Sequence, residues 1–284
     1  MTVTDSTTSW LMWSGTLGDH PLETRLEATA QVGYDQLSVR LDEVAGLDDD
    51  GLRAVAHAAE RHGIQLSTLE SIFSWTDTGP REWPGSNVDV ADTIARAAAV
   101  GCSSITAIAA KLDNPSIDRQ TSDFAALCDL AAEHGLAIDL EFSPLSSISG
   151  ITEAWQVVSD AGRPNGRILF DTWHFYRGDG DLATLATIPG ASIGQVQISD
   201  ASSEVQGKLY ADTMRHRRQP GEGDFDLVTV LQVLAEIGGL RSVGPEVISD
   251  ENRALGPLEA ARVSVDAIDH LFDTALGTRP SHPR

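Results

Sequence analysis

The sequence predicts an α/β fold, a (β/α)8 barrel, and three features carry that prediction. Short β-type runs alternate with helical patterns from one end of the chain to the other. Eight such pairs fit into 284 residues, about 35 per unit, which suits one barrel over residues 1–284 with loose ends at about 1–8 and 278–284. Three junctions, Val32-Gly33, His62-Gly63 and His134-Gly135, repeat one phrase in which a helix gives way to Gly and then a strand. Glycine there supplies a left-handed cap. A doubly wound open sheet is the competing arrangement. It usually carries a Gly-rich phosphate loop after its first strand, which Ser14-Gly15-Thr16-Leu17-Gly18 approximates poorly.

Taken in order, the first strand is expected at Ser9–Ser14, with a helix near Pro21–Val32. Strand two, Gln36–Arg40, precedes a helix near Asp48–His62, and strand three, Gln65–Ser71, one near Val88–Val100. Strands four and five, Ser104–Ile108 and Ala137–Phe142, are followed by helices near Ser116–His134 and Ile151–Ala161. Strands six and seven, Arg167–Asp171 and Ile193–Ile198, lead to helices near Asp181–Thr187 and Asp226–Ile237. Strand eight, Ser242–Val247, precedes a helix near Pro257–Leu271, whose Leu258, Ala261, Val265, Ile268 and Phe272 recur at spacings of three and four along one face. The connections Phe73–Asn87 and Asp200–Asp224 are longer than the scaffold needs. In a barrel both lie at the C-terminal mouth, and they read as a partial lid.

Composition narrows the partners. Hydrophobic residues at 41% together with 25 glycines describe a globular chain. The 42 acids against 20 bases give a net charge of -22, and with no basic patch this argues against nucleic acid. No run of about 18 apolar residues is present to span a membrane, and the N-terminus does not read as a signal peptide. Cys102 and Cys128 lack any metal-ligand spacing and are expected as buried thiols in a reducing cytoplasm. A homo-oligomer is compatible with all of this.

Four successive strands break their apolar pattern at the mouth end. In Ala137-Ile138-Asp139-Leu140-Glu141 alternation puts both acids on one face; Asp171 closes strand six, Gln195 and Gln197 share a face of strand seven, and Glu246 ends strand eight. Each taken singly reads as a capping or salt-bridged residue. Together, Glu141, Asp171, Gln197 and Glu246 converge on one half of the mouth, and three carboxylates in a small space call for a cation or raised pKa values. The all-oxygen donor set favours Mn2+ or Mg2+, with Co2+ or Zn2+ as substitutes. His174, three residues after Asp171, is placed to hydrogen-bond or protonate a substrate oxygen. Arg217, in the long mouth loop, is the candidate clamp for an anionic or polyhydroxylated substrate, with Arg218 left open; a surface turn ahead of an Asp-capped helix is the plain alternative. Trp75, and with it Trp83 and Trp173, offers a surface to a ring-shaped substrate, packing being the alternative.

The phrases Leu140-Glu141-Phe142, Phe170-Asp171-Thr172-Trp173-His174, Gly194-Gln195-Val196-Gln197-Ile198-Ser199-Asp200, Pro220-Gly221-Glu222-Gly223-Asp224 and Pro245-Glu246 resemble the sugar phosphate isomerase/epimerase superfamily, the xylose isomerase-like TIM barrels. The resemblance covers most of the C-terminal half. It implies that Glu141, Asp171, Gln197 and Glu246 occupy the four metal-ligand places and that His174 and Arg217 contact substrate oxygens. Many members carry His where this chain has Gln197; the hydroxypyruvate isomerase group is similar to it in having Gln. An endonuclease IV-like role would want further His ligands and a basic groove, which the sequence lacks.

The function expected from these residues is isomerisation or epimerisation of a sugar, keto-polyol or related hydroxy-carbonyl compound. A divalent ion polarises the carbonyl, Glu141 and Glu246 serve the two faces as acid and base, and the reaction passes through an enediolate. The same first step serves a dehydratase or other lyase, which is the alternative. A barrel that only binds a ligand or partner is a third reading, against which the retained glutamates argue. No Gly-rich helix N-terminus follows strands seven or eight to cradle a substrate phosphate.

Overall fold

In the computed structural model, which describes residues 8–73, 75, 89–111 and 116–278, eight parallel strands close into a barrel in chain order. They are β1 (Ser9–Met12), β2 (Gln36–Arg40), β3 (Gln65–Ile72), β4 (Ser104–Ile108), β5 (Ala137–Glu141), β6 (Gly166–Asp171), β7 (Ile193–Ile198) and β8 (Ser242–Pro245). The barrel is closed by β1 on β8, with Ser9 beside Ser242 and Trp10 beside Val243. Gly244 permits that closure, because a Cβ there would sit 1.5 Å from the Leu11 carbonyl oxygen. The expected loose ends at 1–7 and 279–284, and the lid residues 74 and 76–87 with Trp83, lie outside the described residues.

The eight expected helices are present, from Leu22–Gln31 to Pro257–Leu276. Gly33, Gly63 and Gly135 follow three of them at φ between 68° and 80°, where an L side chain is strained. Ile138, Leu140, Ile168 and Phe170 point outward from the sheet into the main core under these helices. The barrel interior is more polar. Gln195 on β7 donates to Ser104 Oγ on β4 at 3.2 Å, a contact between non-neighbouring strands that only the interior allows. Below the mouth, buried Asp139 accepts two hydrogen bonds from Arg167 at 2.8 and 2.9 Å, so this acid is salt-bridged.

Four short helices, Ser14–Leu17, Thr172–Arg177, Leu209–Arg215 and Asp250–Ala254, were not expected from the sequence. All follow strands at the mouth, and at four to seven residues none is long enough to show a periodic apolar stripe. The strands also end earlier than expected at three places, β5 stopping at Glu141 one residue short of Phe142. Ser14 starts a helix instead of ending β1, and Glu246 lies one residue past β8, although its N–H still bonds the Ile198 carbonyl at 3.0 Å.

Candidate active site

The mouth is organised by Asp171. It ends β6 and at once N-caps the Thr172–Arg177 helix: one oxygen, Oδ1, accepts the His174 backbone N–H at 2.9 Å. The other, Oδ2, accepts from Arg217 Nη1 at 2.8 Å. Capping and site residence, alternatives in the sequence, are thus both true of this side chain. Thr172 locks the neighbouring strand ends together, donating to the Ser199 carbonyl at 2.7 Å and accepting the Ser199 N–H at 2.9 Å.

Arg217 is buried and held on every side. Its Nη1 also donates to Glu246 Oε2 at 2.8 Å, its Nε to the Thr213 carbonyl at 3.2 Å and its Nη2 to Thr213 Oγ1 at 2.9 Å. The guanidinium lies 5.4 Å from the centroid of Trp173, which makes that indole a platform for the arginine. The long loop reaches this position through two antiparallel bridges, Asp200 with Arg218 and His216 with Ser249. Asp200 holds the Pro220–Asp224 segment by accepting the Gly221 N–H at 3.0 Å, and Gly223 leaves it room, since a Cβ there would lie 2.2 Å from Asp200 Oδ1. Asp226 caps the next helix through Thr229 N–H at 3.1 Å, while Arg218 donates to the Glu222 carbonyl on the surface.

The remaining groups close the cluster. Gln197 Nε2 donates to Glu246 Oε1 at 3.0 Å, and its own Oε1 is buried with no hydrogen-bond partner. His174 Nε2 lies 3.2 Å from Glu141 Oε1, and its Nδ1 is likewise buried and unpartnered. Single donor atoms of Glu141, Asp171 and His174 come within 4.8 Å of one another, close enough to share a metal ion. The structure therefore gathers all four expected ligand residues and both expected contact residues into one cluster, in which the donor atoms within mutual reach are those of Glu141, Asp171 and His174, while Glu246 and Gln197 join through their hydrogen bonds. Trp75 is corrected: its indole N–H donates to the Ile108 carbonyl at 2.9 Å, its ring packs edge-on against Phe124, and it does not line the cavity.

Electrostatics separate the acids. Burial alone would raise the Asp171 carboxyl, but Arg217 and then His174 outweigh it and hold it down to about 2. Burial dominates at Glu246 and pushes its carboxyl well up, with Asp171 and Glu141 adding repulsion that Arg217 offsets only in part. The cavity beside these groups measures about 180 Å³, room for about a dozen water-sized atoms. Glu141, His174, Gln197, Arg217 and Glu246 line it.

Glu70 and Lys111, which the sequence reading passed over, also line it. Glu70 sits near the mouth end of β3, as the four singled-out residues sit on theirs, and the same signal would have found it. Burial pushes its carboxyl up to about 7 against the pull of Ser38, and its Oε1 has no partner.

The xylose isomerase-like TIM barrel family model matches residues 26–272. The chain belongs to this family. Its relatives are enzymes: an inosose isomerase of Bacillus velezensis is 24% identical over 89% of this chain and 93% of that protein. A 3-dehydroshikimate dehydratase of Pseudomonas aeruginosa is 28% identical over 85% of this chain, which spans 37% of that longer protein. Among solved structures, an IolI protein with a bound zinc atom superposes with a TM-score of 0.81 at 20% identity, over 95% of this chain and all of that one. A D-psicose 3-epimerase with D-tagatose gives 0.69 at 15% identity over 94% and 99%. Both structural likenesses speak to the fold. Among the described residues no helix is long and apolar enough to cross a membrane.

Proposed function

We propose that the protein is a divalent-metal-dependent isomerase or epimerase of a sugar, keto-polyol or related hydroxy-carbonyl compound. The observation that carries this is the buried, unpartnered Gln197 Oε1 set among Glu141, Asp171 and Glu246. A buried oxygen acceptor beside three carboxylates, with Arg217 as the nearby guanidinium, fits a hard cation and little else. Glu141, Asp171, Gln197 and Glu246 would hold the ion, with His174 in range, and Mn2+ or Mg2+ suits the oxygen donors. Bound there, the ion supplies Lewis-acid polarisation of a carbonyl.

The chain's own groups do the proton work. Glu141 comes from β5 and Glu246 from just beyond β8, three strands apart, so the two carboxyls approach the cavity from different sides. Glu141 takes the proton from the carbon beside the carbonyl, and Glu246 returns one to the neighbouring carbon or to the opposite face. His174 steadies Glu141 through Nε2 and moves a proton at a substrate oxygen. Arg217 holds Asp171 and Glu246 in place while the surrounding barrel excludes bulk water.

A dehydratase is the second reading, favoured by the likeness to 3-dehydroshikimate dehydratase. Incubating the metal-loaded protein with an inosose, a ketohexose and 3-dehydroshikimate in deuterated water decides between them. Deuterium incorporation with no loss of water supports the isomerase or epimerase; an elimination product supports the dehydratase. Full activity in both Glu141→Gln and Glu246→Gln would refute the mechanism.

A further inference from the structure

Glu70 is a cavity-lining acid to which no ligand or proton-transfer role is assigned above. It lies near the end of β3, two strands round the closed barrel from β5, which carries Glu141. Among the described residues it forms no ion pair. The nearby cation Arg25 is engaged elsewhere: Nη1 donates to Ser14 Oγ at 2.6 Å, Nε to the His20 carbonyl at 3.0 Å, and Nη2 pairs with Glu43. Lys111, which also lines the cavity, donates to the Ser146 carbonyl at 3.1 Å. Glu70 is thus a half-buried carboxyl, one oxygen without any partner, in the wall of the cavity that Glu141 and Glu246 also line. A buried polar atom left this way is costly unless a ligand satisfies it.

We propose that Glu70 is a specificity-determining residue that meets a substrate hydroxyl in the cavity and selects an uncharged ring polyol over one that carries a carboxylate. This rests on the cavity being the keto-polyol site proposed above. The chemistry of the partner follows from hydrogen-bonding capacity. A hydroxyl both donates and accepts, so it satisfies Glu70 whether or not the carboxyl holds its proton; a carboxylate only accepts, and meets repulsion when Glu70 is ionised. Charge balance points the same way. Glu70, Glu141, Asp171 and Glu246 together equal the formal charge of Arg217, Lys111 and one divalent ion, leaving no surplus cation for an anionic substrate.

The test is calorimetric titration of Mn2+-loaded protein with two six-membered ring polyols, uncharged myo-inositol and the carboxylate quinate. Wild type is expected to bind the inositol more tightly. Glu70→Ala should lose about 10-fold in inositol affinity, the worth of one hydrogen bond. The near-isosteric Glu70→Gln, which also covers a failure of the alanine variant to fold, should keep inositol binding within about 3-fold and tighten quinate about 10-fold. A role confined to folding would move neither ratio. Tighter quinate binding in wild type, or affinities for both polyols unchanged in the variants, would overturn the proposal. The two readings separate when an inosose is turned over in deuterated water. Proton exchange with a KM that Glu70→Gln and Glu70→Ala leave unchanged removes this inference and keeps the catalytic one. Glu70-dependent inositol binding in a protein that never exchanges a proton does the reverse.

Discussion

Replacing Arg217 with Met would test how the acid cluster is held together. Arg217 Nη1 bridges Asp171 Oδ2 and Glu246 Oε2, both at 2.8 Å, inside a site where all three side chains are buried. The Asp171 carboxyl is held at about 2 against an ordinary 3.8 despite its burial. That depression corresponds to roughly 2 kcal/mol of folded-state stabilisation at neutral pH. That contribution is present above pH 3.8 and is lost as pH falls through about 2. Removing the cation forfeits it and leaves a buried anion, for a total of about 3–5 kcal/mol. In EDTA at pH 7 the Arg217→Met protein should therefore melt roughly 6 °C or more below wild type, at about 2 °C per kcal/mol. Saturating Mn2+ should raise the midpoint more in the variant than in wild type, because the ion then supplies the missing positive charge. Thermal melts followed by circular dichroism, with EDTA and with Mn2+, give both numbers. Equal apo midpoints, or an equal gain from Mn2+ in the two proteins, would refute the reasoning.

Further outcomes are expected. Gln197→Ala should weaken Mn2+ binding by about 10-fold or more, measured by competition with a chromophoric chelator, since it deletes a buried oxygen donor. Glu70 binds its proton more tightly folded than unfolded, so its contribution to the stability of the metal-free protein should fall as pH rises from about 4.5 to about 7 and then level off. The loss is at most about 3 kcal/mol, and urea melts of Glu70→Gln should show a correspondingly flatter profile over that window. Asp139→Ala leaves Arg167 without its carboxylate and should cost roughly 2 kcal/mol or more in stability, with Mn2+ affinity unchanged. Chelator competition on the folded variant checks the second half of that expectation.

Much of this architecture is readable before folding because it depends on local rules. The helix stripe through Leu258, Ala261, Val265, Ile268 and Phe272, and the glycines at 33, 63 and 135, state their conformations within a few residues. Strand alternation likewise sends Glu141 and Gln197 to the inner face at the mouth. The same rule applied to β3 reaches Glu70, an acid near the end of an otherwise largely buried strand. The short mouth helices offered no such signal, and neither did the packing of Trp75, whose surroundings are set by Phe124 and the Ile108 carbonyl.

The sequence by itself determined the number and order of the elements and which side chains end their strands with an acid or amide, since period and capping act over short stretches of chain. Only the tertiary structure decided what those ends do together. Closing β1 onto β8 draws Glu246 round to Gln197 and Asp171, and the long loop after β7 folds back to set Arg217 between the two acids. Charges separated by 46 and 29 residues then share one low-dielectric site, where their interaction is strong enough to hold Asp171 ionised while burial raises Glu246. Such coupling depends on distance in space, which no local pattern of residues specifies.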